Sequence, residues 1–142
     1  MANIEENKRL ARRVPEDIAT ERNIELIDEL YAEDFVEHGP FGQQTEGREA
    51  AKEDMDAFLD AFSDFEAIVE DAVAEGDTVA MRVTLRGTHD GEFMGIDPTG
   101  ESFEIPNTIF TRIENGEIVE RWVQPETLGM LQQLGVAESP MS

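Results

Sequence analysis

In RWVQPETLGMLQQLG, residues 121–135, the only tryptophan, Trp122, stands four positions before the carboxylate Glu126, where an alternating strand hands over to a Leu-rich helix. A carboxylate in an apolar pocket has its pKa raised by desolvation, which makes it a better base near neutral pH. A donor such as His89, Asn107 or Gln124 would steady a developing negative charge on oxygen, and Trp122 would stack on flat rings. Strand phase nominates these groups. His89 is in register with Val79, Met81, Val83 and Leu85, and Asn107 with Phe103, Ile105 and Ile109. Glu120, Trp122 and Gln124 share a parity with Ile118. Side chains two apart in a strand share a face, so all of these are expected on one apolar surface. Burying each without a partner costs roughly 1–3 kcal/mol. A pocket accounts for such a set more easily than a dry core does.

Each group also has a plainer reading. His89 can cap the strand end before a turn, and Asn107 can satisfy backbone beside Pro106. Glu120 can pair with Arg121 or Arg112 outside. His38, in FVEHGP, can bond a loop carbonyl. Trp122 can be core, and Glu126 a favourable charge at a helix start. The two histidines show neither HxxxH nor HxH spacing, so no metal is expected. No GxSxG, glycine-rich phosphate loop or dinucleotide fingerprint occurs.

The composition narrows the partners. There are 33 acids against 11 bases, a net charge of −22. Nucleic acid and anionic membrane surfaces are disfavoured, since both require a basic patch. The acids are scattered, and only Lys8 and Lys52 accompany nine arginines. That balance suits a salt-rich cytoplasm, where screening tames self-repulsion. There is no cysteine, so disulfides and thiol chemistry are excluded. No apolar run reaches the ~18 residues of a membrane span, and MANIEENKRLARRV lacks a signal-like apolar stretch. A soluble, cytoplasmic protein is expected.

The elements that must position these groups read as helices first and strands second. Residues 16–32 place Ile18, Ile24, Leu26, Ile27, Leu30 and Tyr31 at helical spacing after Pro15. Gly39, Pro40 and Gly42 then break the chain. A second helix over 48–62 carries Ala51, Met55, Phe58, Leu59 and Phe62 on one stripe, of which Phe58 and Phe62, with Met81, are candidate pocket walls. From residue 65 the period becomes two. Strands meet at Gly76-Asp77, a Gly-rich loop follows His89, and a hairpin turns at Asn115-Gly116. A short helix from Thr127 ends at Gly135. Hydrophobic residues are 39% of 142, enough for one core, so a single α+β domain over residues 1–142 is expected.

Three segments resemble the SnoaL-like polyketide cyclase (ester cyclase) family of the nuclear-transport-factor-2-like superfamily. They are LYAEDFVEHGP, EGDTVAMRVTLRGTHDGEFMGIDPTG and IENGEIVERWVQPETLGMLQQLG, within residues 16–136. The resemblance implies a cone-shaped α+β barrel whose curved antiparallel sheet wraps over helices and leaves a deep apolar cavity. It implies a cofactor-free intramolecular aldol ring closure, with an aspartate of the last segment as general acid/base. Glu126 occupies that position here, one methylene longer. His38 and His89 match recurrent family histidines, and a homodimer is implied. The expected ligand is a small apolar carbonyl compound. The rival readings are a non-catalytic binder of apolar ligands, using the same cone, and an oligomerisation domain.

Overall fold

The computed structural model describes residues 3–138, and the ends of the expected 1–142 domain lie outside that description. Helix α1 (Ile4–Arg13) is capped by the Asn3 side chain, which accepts from the Glu6 amide at 3.1 Å. Acids in its first turn and arginines in its last oppose the helix dipole. Pro15 has no amide hydrogen to continue the ladder, and Val14–Thr20 follows as a π-helical segment. Residues 16–32 therefore do not form the one helix expected from their spacing. The chain bends at Arg22, which has φ 61, and re-enters a helix only for α2 (Leu26–Leu30).

Tyr31 then opens a strand, β1 (Tyr31–His38), in a stretch read from sequence as a helix end and a break. Its burial pattern is irregular because the register shifts between Tyr31 and Val36. That irregularity hides the period of two. After Pro40–Gly42 and the short β2 (Gln44–Glu46) comes α3 (Arg48–Ala61), close to the expected 48–62. Then follow β3 (Glu66–Glu75), β4 (Thr78–Thr88), β5 (Ser102–Glu114), β6 (Glu117–Pro125) and α4 (Thr127–Gln133).

The six strands lie in the order β2-β1-β6-β5-β4-β3. The sheet is mixed rather than purely antiparallel: β1 runs parallel to β6, and the other pairings are antiparallel. Asn115 and Gly116 both have positive φ, as a two-residue hairpin turn requires. The helices cover the inner face of the sheet. Val79, Met81, Val83, Phe103, Ile105, Ile109, Ile113 and Ile118 point into a core shared with Val14, Ile18, Ile27, Leu59 and Phe62.

The loop after β4 is tied at its base. Asp90 and Gly91 amides both donate to the Ala61 carbonyl at the end of α3. A Cβ on Gly91 would lie 2.2 Å from the Asp60 carbonyl oxygen, so only glycine fits there.

Candidate active site

A cavity of about 800 Å³ opens between the inner face of the sheet and the helices. Much of its wall is apolar, including Val14, Ala51, Phe58, Phe65, Val83, Leu85 and Ile109. Set into that wall are a carboxylate, a guanidinium, a phenol and a carboxamide: Glu37, Arg121, Tyr31 and Asn107. Glu37 and Arg121 face each other as register partners across the parallel β1–β6 pair. Arg121 Nη1 donates to Glu37 Oε1 at 2.6 Å. Among the described residues, no side chain bonds the second Glu37 oxygen.

Arg121 is 5% exposed. Burial alone would weaken its hold on a proton, but Tyr31 and Glu37 outweigh this and raise its pKa. Burial pushes the Tyr31 hydroxyl up to about 12, although Arg121 opposes the shift, so the phenol stays neutral and able to donate. Arg121 Nε and Asn107 Oδ1 are buried without a hydrogen-bond partner. Leaving such groups unpaired costs roughly 1–3 kcal/mol each. Polar groups with hydrogen-bonding capacity to spare thus stand on a largely apolar wall, which makes this cavity the candidate site.

The cavity, the curled sheet over its helices and the site on β1 and β6 can be set beside known proteins. The SnoaL-like polyketide cyclase family matches residues 9–134. The chain belongs to this family.

Among solved structures, wild-type IdmH from Streptomyces antibioticus, a candidate polyketide cyclase, is 34% identical with a TM-score of 0.79. The match covers 92% of this chain and 99% of that one. AclR from Streptomyces galilaeus, a candidate hydroxylase, is 28% identical, TM-score 0.83, covering 96% and 85%. A SnoaL-like protein from Jannaschia sp. CCS1 superposes with TM-score 0.88 at 21% identity over 94% of each chain, which speaks to fold alone. No curated protein matches the chain.

In this SnoaL-like chain, only part of the site expected from sequence comes together. Asn107 and Phe58 line the cavity as expected. Met81 and Phe62 are fully buried core residues and are not among its walls. His89 is fully buried too and is not among the walls; its ring packs beside Phe62 and Phe93, with centres 5.6 and 6.3 Å apart. Its Nδ1 accepts from the Thr99 amide at 3.3 Å, so it braces the base of the loop after β4. Its Nε2 has no partner.

Glu126, Gln124, Trp122, Glu120 and His38 are corrections, because none of them lines the cavity. Glu126 is exposed and is the N-cap of α4, accepting from the Gly129 amide at 2.9 Å. Gly129 makes this possible, since a Cβ there would lie 2.1 Å from Glu126 Oε2. Glu120, Trp122 and Gln124 lie on the outer face. Arg112 pairs with Glu120 while Ile113 pairs with Ile118, which leaves Val119 as an extra residue. A bulge of this kind breaks strict alternation. Ile118 is therefore inward, yet Arg121 and Val123, not Glu120 and Trp122, line the cavity beyond it. His38 stacks on Trp122 at 5.3 Å, and its Nε2 bonds Glu120 Oε2 at 2.6 Å.

Glu37, Arg121 and Tyr31 were not singled out from sequence. Arg121 shares its parity with Val119 and Val123, a hint no stronger than the opposite phase of Ile118 and Trp122. Glu37 and Tyr31 lie in the segment whose strand character was hidden.

Proposed function

We propose that this protein is a cofactor-independent cyclase or isomerase acting on a small apolar carbonyl compound held in the cavity. The observation that carries this reading is the Glu37–Arg121 pair on the apolar cavity wall. Arg121 is buried and Glu37 partly buried, and such a pair is weak as a stabilising device, because desolvation offsets much of its attraction. Among the described residues, the Glu37 carboxylate has a side-chain partner on one oxygen only, which leaves the other available to take a proton.

Glu37 takes a proton from the carbon beside the substrate carbonyl. The electron pair moves onto the carbonyl oxygen, and the enolate is held by the Arg121 guanidinium with the neutral Tyr31 hydroxyl as a second donor. In a cyclisation, the enolate carbon attacks a second carbonyl of the same molecule. The new alkoxide then recovers the proton from Glu37. The product is an isomer of the substrate, and no co-reactant is consumed. Proton return to a different carbon would instead give an isomerase.

The second reading is a non-catalytic binder of apolar ligands. It is favoured by one observation: Glu126, at the position of the family's acid/base residue, is tied to Gly129 outside the cavity. One pair of variants separates the two. With a carbonyl substrate turned over by the parent, we expect Glu37→Gln to lose about 10²-fold or more in kcat and Glu126→Gln to lose little. The reverse order returns the acid/base role to Glu126. Ligand-induced thermal stabilisation without turnover, unchanged in both variants, supports the binder.

The proposed functional unit is a homodimer formed through the outer face of the sheet. His38, Trp122, Phe110, Ala80 and Val73 are successive register partners across five strands. Phe110 and Val73 in that row are exposed. Beside them Arg82, Arg86 and Arg112 neutralise Asp71, Glu66 and Glu120, which lowers the repulsion between two acidic copies.

A further inference from the structure

Two large apolar side chains stand in solvent where folding alone disfavours them. Phe41 is 69% exposed and Met94 is 57% exposed. Each has a left-handed backbone, φ 62 and φ 53, and each is followed by a glycine of positive φ, Gly42 and Gly95. Two consecutive positive φ values make the tight turn that asparagine, aspartate or glycine prefers at its first central position. A side chain with a Cβ is strained there, and Phe and Met lack the short polar group that offsets the strain locally. Backbone and solvent therefore both oppose these residue types.

Both residues nonetheless line the same cavity, and their exposure puts them at its mouth. Both turns are braced. The Gly39 amide donates to the Gln43 carbonyl at 2.8 Å, and Gln43 to Pro40 at 3.3 Å. Phe93 and Ile96 exchange backbone hydrogen bonds at 3.0 and 2.8 Å around Met94-Gly95. Phe93 is itself clamped by Phe58 and Phe62, at 5.8 and 5.2 Å between ring centres. These are preformed lips held in an unfavourable conformation. An outlier of that kind points to a function.

The geometry points to Phe41 and Met94 as specificity-determining lips that grip the apolar outer end of a ligand too long to be enclosed by the cavity. This deepens the proposed function and rests on the cavity being the ligand site. The ligand class is an elongated, uncharged, largely apolar molecule. Its carbonyl end reaches Glu37 and Arg121, while its far end covers the two exposed side chains.

The test uses the full chain and the neutral fluorophore N-phenyl-1-naphthylamine, with Kd read from fluorescence and Tm from circular dichroism. Phe41→Asn and Met94→Asn supply the residue type the turns prefer. We expect each to raise Tm by about 1–4 °C. Each should also weaken probe binding by at least about fivefold, the share expected of partly burying one such side chain. Phe41→Leu keeps an apolar lip and should bind within about twofold of the parent. Val83→Phe, inside the cavity, reports on the site as a whole. Probe binding that is weakened by Val83→Phe but unchanged in both Asn variants overturns the lips and leaves the cavity reading standing. Binding that is absent in the parent, or indifferent to Val83→Phe, overturns the cavity reading and the lips with it. A fall in Tm for both Asn variants overturns the claim that these residues are held against folding preference.

Discussion

At the residue scale, the chemistry of a side chain here follows from which neighbour reaches it. Glu120 and Glu37 are both half-buried glutamates on neighbouring strands, each bound to an arginine, yet one lies on the outer face of the sheet and the other lines a cavity. Glu120 is held below its ordinary value of 4.5, first by the hydrogen bond from His38 and then by Arg112. Its folded form binds a proton less readily than its unfolded form. As pH falls from 4.5 the unfolded chain takes up that proton first, so a contribution fully present above 4.5 is lost through the lower folded value. We expect Glu120→Gln to be less stable than the parent at neutral pH. The gap should narrow as pH drops below about 4.5, measured by urea unfolding at a series of pH values. A gap independent of pH would mean that the carboxylate charge is not what His38 and Arg112 stabilise.

At the element scale, the decisive feature is one extra residue in β6. Period-two reading from Ile118 assigns Glu120, Trp122 and Gln124 to the interior, whereas the bulge at Val119 sends them outside and turns Arg121 in. Deleting Val119 would restore regular alternation without exchanging the faces, since Ile118 and Arg121 would then be inward as they are now. We expect the deletion variant to fold and to keep Trp122 as open to acrylamide quenching as in the parent. Its Tm should fall by several degrees, as the loss of the bulge reduces local twist. A protected Trp122 with blue-shifted emission would show that the faces had exchanged. Where no bulge intervened, phase was a sound guide. It put Asn107 on the inner face of β5 and Phe58 on the buried stripe of α3. It also made His89 inward, although burial turned out to mean a brace for a loop and not a cavity wall.

At the scale of the whole molecule, charge bears on the proposed dimer. Two copies of net charge −22 repel strongly in dilute buffer. The screening length shrinks from about 10 Å at 0.1 M salt to about 3 Å at 1 M. We expect sedimentation velocity to show more dimer, and melting to show a higher Tm, as salt is raised over that range. Phe110→Lys, in the exposed row of the outer face, should shift the population towards monomer at every salt concentration. If that variant dimerises as the parent does, the outer face is not the interface. No helix among the described residues is long and apolar enough to cross a membrane.

The sequence by itself determined the family, the α+β class, the turn at Asn115-Gly116, the bounds of α3 and the helix end at Gly135, because short-range patterns and turn chemistry carry these. It did not determine the partner of β1. A parallel pairing joins residues far apart in the chain and leaves no local turn to announce it. That pairing brings Glu37 against Arg121, and a single bulge decides which side of β6 meets the cavity. The residues of the candidate site are brought together by contacts across the sheet, where alternation within any one strand carries no information about its neighbour.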